Sequence, residues 1–161
     1  MIISNATPLI AFSRIGRLSL LREVIGESLV IPAAVAEEIS DYDQGAKGSI
    51  VLANERWIEV GAVSDEQQVR LLLPTLDRGE AEVIALGLER RAKLLLIDEL
   101  IGRKVAESLG LPITGSVGIL IRAKREGLIQ AVKPPLLQMQ SRGIHFSESF
   151  IRAVLQEVGE A

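Results

Sequence analysis

The stretch Asp77-Arg78-Gly79-Glu80-Ala81-Glu82-Val83-Ile84-Ala85-Leu86-Gly87-Leu88, followed shortly by Leu94-Leu95-Leu96-Ile97-Asp98, decides how the chain folds. Apolar residues at 81, 84, 85 and 88 fall on the i, i+3, i+4, i+7 stripe of an amphipathic helix. The second run is short and uniformly apolar and ends on a carboxylate. Such a run reads as a strand of a parallel sheet, buried on both faces. A helix leading straight into such a strand is part of an alternating pattern of strands and helices.

The same alternation extends in both directions. Strands are expected at Ile2-Asn5, Leu29-Ile31, Trp57-Val60, Leu94-Ile97 and Pro112-Thr114. Helices are expected from Pro8 to Ile15, over Arg17-Val24 closed by Gly26, over Ala33-Tyr42 opened by Pro32, and over Ser49-Asn54 after a break marked by Gly45 and Gly48. Ser64-Asp65-Glu66-Gln67 offers a cap and first-turn acids for a helix reaching Leu73, where Pro74 ends it. Further helices fit residues 79–91, Glu99-Leu109, Ser116-Glu126 and Ser147-Val158. The expected fold class is α/β, a three-layer α/β/α sandwich around a central parallel sheet. It forms one domain over residues 1–161, with 131–161 a C-terminal helical extension. No repeat, low-complexity segment or linker interrupts it.

Composition narrows the function. The 161 residues include no cysteine, which excludes a disulfide scaffold, Cys-ligated zinc and thiol catalysis. Apolar residues make up 48% of the chain but come in short runs broken by charges, well below the roughly 18 needed for a membrane span. Met1-Ile2-Ile3-Ser4-Asn5 starts as a strand and lacks the basic and apolar regions of an export signal, so a cytoplasmic protein without membrane association is expected. The formal charge of −3 gives no global basic field for nucleic acid. An enzyme that holds divalent cations needs acids, however, so this balance does not exclude a metal-dependent nuclease.

The acids fall at one edge. In open α/β sheets, ligands bind outside the carboxyl ends of the strands. Asp98 directly follows Leu94-Ile97, and Asn5 holds the equivalent position after the first strand. The helix over 79–91 is roughly 18 Å long and the return strand roughly 16 Å, so antiparallel packing brings Glu80 back beside Asp98. Glu38 lies two turns into a helix that begins at the same edge, flanking Val35 and Tyr42. Carboxylate oxygens are the ligands of magnesium and manganese, which stabilise phosphoryl charge and activate water. Each acid also has a structural explanation: Asp98 as a cap of the following helix, Glu80 and Glu82 as first-turn acids, Glu38 as a surface flank. Their convergence favours the metal site, because like charges repel unless a cation lies between them.

These residues resemble those of a known family. Ile3-Ser4-Asn5-Ala6-Thr7-Pro8-Leu9-Ile10 is similar to the opening motif of PIN domains, in which a strand delivers Asp, a small residue, then Ser or Thr. Ile31-Pro32-Ala33-Ala34-Val35-Ala36-Glu37-Glu38-Ile39 resembles the second motif, Gly79-Glu80-Ala81-Glu82-Val83-Ile84-Ala85-Leu86 the third, and Leu95-Leu96-Ile97-Asp98-Glu99-Leu100-Ile101-Gly102-Arg103 the fourth. Ile113-Thr114-Gly115-Ser116 and Ala123-Lys124-Arg125-Glu126-Gly127 continue the pattern of an uncharacterised VapC-like branch, so the resemblance covers about residues 1 to 130.

It implies Mg2+ or Mn2+, cleavage of single-stranded RNA, and often the toxin role in a toxin-antitoxin pair, with a small antitoxin protein as partner. Glu38, Glu80, Asp98 and Asn5 become the catalytic and metal-binding positions, with Thr7, Glu82, Glu99 and Ser116 supporting. Asn5 departs from the pattern: its amide offers a carbonyl oxygen but no negative charge, which lowers affinity and weakens nucleophile activation. Glu82 and Glu99 either substitute for that charge or serve the structure. Ser116 reads as a helix cap.

Arg103 and Lys104 follow Asp98, where they either meet substrate phosphates or form a solvated helix face. His145, the only histidine, lies away from the acids. Surplus apolar residues, Leu18, Leu20, Leu21, Leu71, Leu72 and Leu73, point to a homodimer. A dinucleotide enzyme fits poorly, because no G-x-G-x-x-G follows the first strand; a phosphoryl-receiver domain lacks its first-strand acid and a lysine after Thr114. Two readings remain: a metal-dependent endoribonuclease weakened by Asn5, or a catalytically impaired PIN-like binding or regulatory module.

Overall fold

The computed structural model describes residues 1–42 and 49–161. The break expected at Gly45 and Gly48 lies outside the described residues. Five parallel strands, β1 (Ile2–Ser4), β2 (Leu29–Pro32), β3 (Ile58–Gly61), β4 (Leu94–Leu96) and β5 (Ile113–Thr114), form one sheet in the order β3-β2-β1-β4-β5. These are the five expected strands, with ends shifted by about one residue, the usual scatter of strand and helix boundaries. Ile3, Leu29, Ile31, Leu95 and Leu96 are fully buried, which is why their runs show no polar alternation.

Among the described residues the helices are α1 (Ala6–Arg14), α2 (Leu18–Ile25), α3 (Ala33–Asp41), α4 (Glu66–Leu72), α5 (Arg78–Arg90), α6 (Leu100–Ser108), α7 (Ser116–Arg125), α8 (Lys133–Ser141) and α9 (Glu148–Glu157). The helix expected over Ser49-Asn54 shrinks to a 3-10 turn at Leu52–Asn54. α5 lies against β1, β2 and β4 and packs with α4 and α6, while α1 packs with α2, α7 and α8. The result is a three-layer α/β/α sandwich. α5 is buried from Gly79 to Gly87, and Phe12, Leu9 and Leu21 fill the layer under α1 and α2.

The C-terminal segment contains more structure than its sequence announces. Pro134 and Pro135 stand in the first turn of α8, where missing N–H donors cost nothing, and start a helix that sequence periodicity does not reveal. Val132, Leu136, Met139, Ile151, Val154 and Leu155 are buried in the same core as the sheet. Glu160 fastens this segment: its carboxylate accepts from the backbone N–H of Val132 (2.8 Å) and Lys133 (2.9 Å) and from Lys124 Nζ (2.9 Å). Burial alone would raise its pKa, but these donors outweigh it and hold the carboxyl at about 2.

The leucines offered as surplus are mostly used internally. Leu20 and Leu21 are core, and Leu18, Leu72 and Leu73 pack against it, leaving only Leu71 exposed, at 74%. Much of the sequence ground for a dimer is therefore removed.

Candidate metal and active site

Connectivity places the site. α1, α3, α6 and α7 each begin just beyond the carboxyl end of a strand, so their positive N-terminal ends gather at one sheet edge. The strand order reverses beside β1, between its neighbours β2 and β4, and such a switch point opens a crevice. Asn5 and Asp98 lie at that crevice. The backbone N–H of Asn5 extends the ladder by donating to Leu96 O (2.9 Å), and the N–H of Ile97 donates to Thr114 O (2.9 Å).

Asn5 is only 4% exposed, and its Oδ1 is buried without a hydrogen-bond partner. This is the only such side-chain atom among the described residues. It faces Gly79 in the first turn of α5. A Cβ built on Gly79 would stand 3.3 Å from Asn5 Oδ1, 3.5 Å from Asp77 Oδ1 and 3.5 Å from Glu38 Oε1. Three oxygens from three parts of the chain thus surround one small space, which any side chain at position 79 would enter. The carboxyl of Glu38 is raised above its ordinary pKa by desolvation, then by repulsion from Asp77 and Glu99.

Glu80 sits one step deeper. Asp77 Oδ1 accepts from the Glu80 N–H (2.8 Å), and Glu80 Oε1 accepts from the Asp77 N–H (3.3 Å), a reciprocal capping box at the start of α5. Its other oxygen crowds Gly102 of α6, where a Cβ would come to 2.7 Å. Burial first, then the charge of Asp77, lifts the Glu80 pKa to about 7.

Asp98 belongs to the same edge but is held separately. Its Oδ1 accepts from Ser116 N–H (2.6 Å) and its Oδ2 from Ser116 Oγ (2.6 Å). Burial pushes its carboxyl pKa up, against the lowering effect of Ser116 and Arg103. The sequence allows Asp98 as a cap of the next helix; it instead caps α7, across the crevice. Ser116, read as a cap, is the first helical residue and donates to Asp98. Arg103 Nη1 donates to Ile97 O (3.0 Å), which commits part of its guanidinium to the backbone. Lys104 is exposed and Thr7 half-buried.

Glu82 serves the structure. Its Oε1 accepts from the Ala34 N–H (3.1 Å) and caps α3, while Oε2 pairs with Arg78 Nε (2.8 Å). Glu99 stands at the N-cap position of α6 without a capping bond, and its charge is felt by Glu38 and Glu80. His145 is exposed on the turn before α9. The residue that sequence reasoning missed is Asp77. The D-x-x-E spacing of Asp77 and Glu80 was the available signal, since a capping box fixes a second carboxylate beside the first.

No three His, Cys, Asp or Glu side chains among the described residues are grouped so as to hold a metal ion. The donors present are nevertheless of the right kind: carboxylates and an unpartnered amide oxygen suit a hard divalent cation.

A sequence model of a family described as a PIN domain matches residues 1–160. The chain belongs to the PIN-domain family. No curated protein and no solved structure gives a significant match. PIN-domain membership gives the crevice acids a nuclease-type fold as their context, and divalent metals are general in such domains. No helix among the described residues is long and apolar enough to cross a membrane.

Proposed function

We propose that this PIN domain is a Mg2+- or Mn2+-dependent endoribonuclease of the VapC-like type, acting on single-stranded RNA with activity weakened by Asn5. The observation that carries the proposal is the buried Asn5 Oδ1, unpartnered and turned toward the same space as Glu38, at the carboxyl edge of a PIN-domain sheet. Glu38, Glu80, Asp98 and Asn5 would hold the cation. When bound, it supplies neutralisation of phosphoryl charge and activation of water.

The chain's own residues do the rest. Glu80, whose carboxyl burial and the charge of Asp77 raise to about 7 in the metal-free chain, would give up that proton on taking the cation, so metal binding should strengthen as pH rises through 7. Asp98 fixes the first turn of α7, and the gathered helix N-termini favour a phosphate. The proposal extends to a toxin role with a small antitoxin as partner, a cytoplasmic setting and a homodimer. Leu100 and Ile101, exposed side by side at the start of α6, support the last.

A second reading is favoured by one residue. Asn5 brings no charge, which suits a PIN-like module that binds or regulates with little turnover. Purified protein incubated with single-stranded RNA and manganese separates the two. Cleavage that is lost on chelation and abolished in Glu38→Gln supports the nuclease; no cleavage at any manganese concentration supports the module.

A further inference from the structure

We propose that Asp77 supplies the negative charge that the first strand no longer carries, forming with Asn5 and Glu38 a three-oxygen seat for a divalent cation beside Gly79. The inference rests on the metal-dependent reading above and names a ligand which that reading does not include.

The three oxygens surround one point: Asn5 Oδ1, Asp77 Oδ1 and Glu38 Oε1 all lie within 3.5 Å of a Cβ built on Gly79. Each is thus no more than about 7 Å from the others, so Glu38 and Asp77, both open to solvent on one side, still repel across the buried Asn5 amide, though less than buried charges would. The nearby cations among the described residues are engaged elsewhere. Arg78, the adjacent one, pairs with Glu66 and Glu82, and Arg103 is tied to Ile97 O. The buried amide oxygen of Asn5 is the independent sign of a ligand, because a polar atom out of reach of solvent ordinarily has a partner. A protein donor would need an N–H or O–H aimed at it; the groups sharing its space, the carboxyls of Glu38 and Asp77, only accept once ionised. A cation satisfies all three at once.

Asp77 can serve without giving up its role as cap of α5. There it accepts one bond from the Glu80 N–H, and its carboxylate also faces the Glu80 carboxyl, a like-charged pair whose repulsion a cation would relieve. Gly79 keeps the seat open: it has ordinary helical geometry, yet a Cβ would crowd Asn5 Oδ1 at 3.3 Å and fill the space in contact with the other two oxygens at 3.5 Å. An acid at the end of the first strand would make the Asp77 charge redundant. With Asn5 there, two carboxylates and one amide remain, still within the usual ligand set for magnesium or manganese.

The test measures manganese binding by the full chain, by calorimetric titration and by the manganese-induced rise in melting temperature, without reference to cleavage. Asp77→Asn and Asp77→Ser both retain a good helix cap, so their metal-free melting should stay within a few degrees of the parent. Each should weaken manganese binding by about tenfold or more, as should Glu38→Gln. Asn5→Asp combined with Asp77→Asn should return affinity to the parent level by moving the charge across the seat. Gly79→Ala, favourable for a helix, should weaken binding by occlusion, and it answers the question if either Asp77 variant misfolds. Parental affinity in Asp77→Asn, with binding lost in Glu38→Gln, overturns the Asp77 assignment and leaves the metal site standing. A parent chain that binds no manganese at millimolar concentration overturns both.

Discussion

Asn5→Asp places a carboxylate where a buried amide oxygen now has no partner, and its consequence can be worked from the crevice geometry. The new charge would lie no more than about 7 Å from the oxygens of Glu38 and Asp77. At an effective dielectric constant near 20, each pair repels by about 2 to 3 kcal/mol when both members are ionised. Partial protonation relieves some of this, so a net loss of about 2 to 4 kcal/mol at pH 7.5 without metal is expected, a fall of roughly 5 to 12 °C in melting temperature for a domain of this size. The sign follows from linkage: the new aspartate has a raised folded-state pKa, so the loss is absent below its unfolded value near 4 and grows as pH rises through the folded one. Excess manganese should reverse the loss, since a site bound at 100 times its dissociation constant gains about 2.7 kcal/mol. Cleavage of single-stranded RNA should rise about tenfold or more, equivalent to about 1.4 kcal/mol off the barrier. Calorimetric melting at pH 5 and pH 7.5, with and without manganese, and a fluorogenic RNA assay measure all of this. A variant whose melting, manganese response and cleavage all equal the parent's would refute the reasoning, because Asn5 would then not face the acids.

Three further outcomes follow from the same contacts. Glu80 has a folded pKa of about 7 against an ordinary 4.5, so it costs the metal-free protein nothing below 4.5 and progressively more up to about 7; Glu80→Gln should raise stability at pH 8 by roughly 1 to 3 kcal/mol and change little at pH 4, as read by urea unfolding. Ser116→Ala removes one of the two donors that hold the half-buried Asp98 and should cost about 1 to 2 kcal/mol at pH 7 in the same assay; no change would mean that Asp98 is fully solvated. Glu160 has a lowered pKa of about 2, so its stabilising bonds are fully present above 4.5 and fail as pH falls toward 2; Glu160→Gln should flatten the acid limb of the stability curve, and proteolysis should cut around α8 and α9 sooner.

The legible parts of this molecule are those encoded by local periodicity. The uninterrupted apolar run at Leu94-Ile97 and the alternation of short strands with longer helices gave all five strands and their parallel arrangement. Boundaries moved by a residue or so because caps, not apolar content, set the ends: Pro32 closes β2 and also caps α3. What the sequence hid was partnership. First-turn acids share a favourable dipole whether they bind a metal, cap a neighbour or repel one another, so Glu82 (cap of α3), Asp98 (clamp on Ser116) and Asp77 (neighbour of Glu38) look alike until side chains meet. α8 was hidden by its two prolines, which disrupt a helix interior but suit its first turn.

The order of the strands bears on how the protein comes into being. β1 is the middle of the sheet, yet its partner β4 follows it by about 90 residues, which a translating ribosome needs roughly 5 to 18 s to add. Throughout that interval one side of β1 has no neighbour, and the crevice that joins Asn5 to Asp98 does not exist. A crevice split in this way forms only once β4 has been synthesised and has left the ribosome, so the acids it gathers stay apart on the nascent chain.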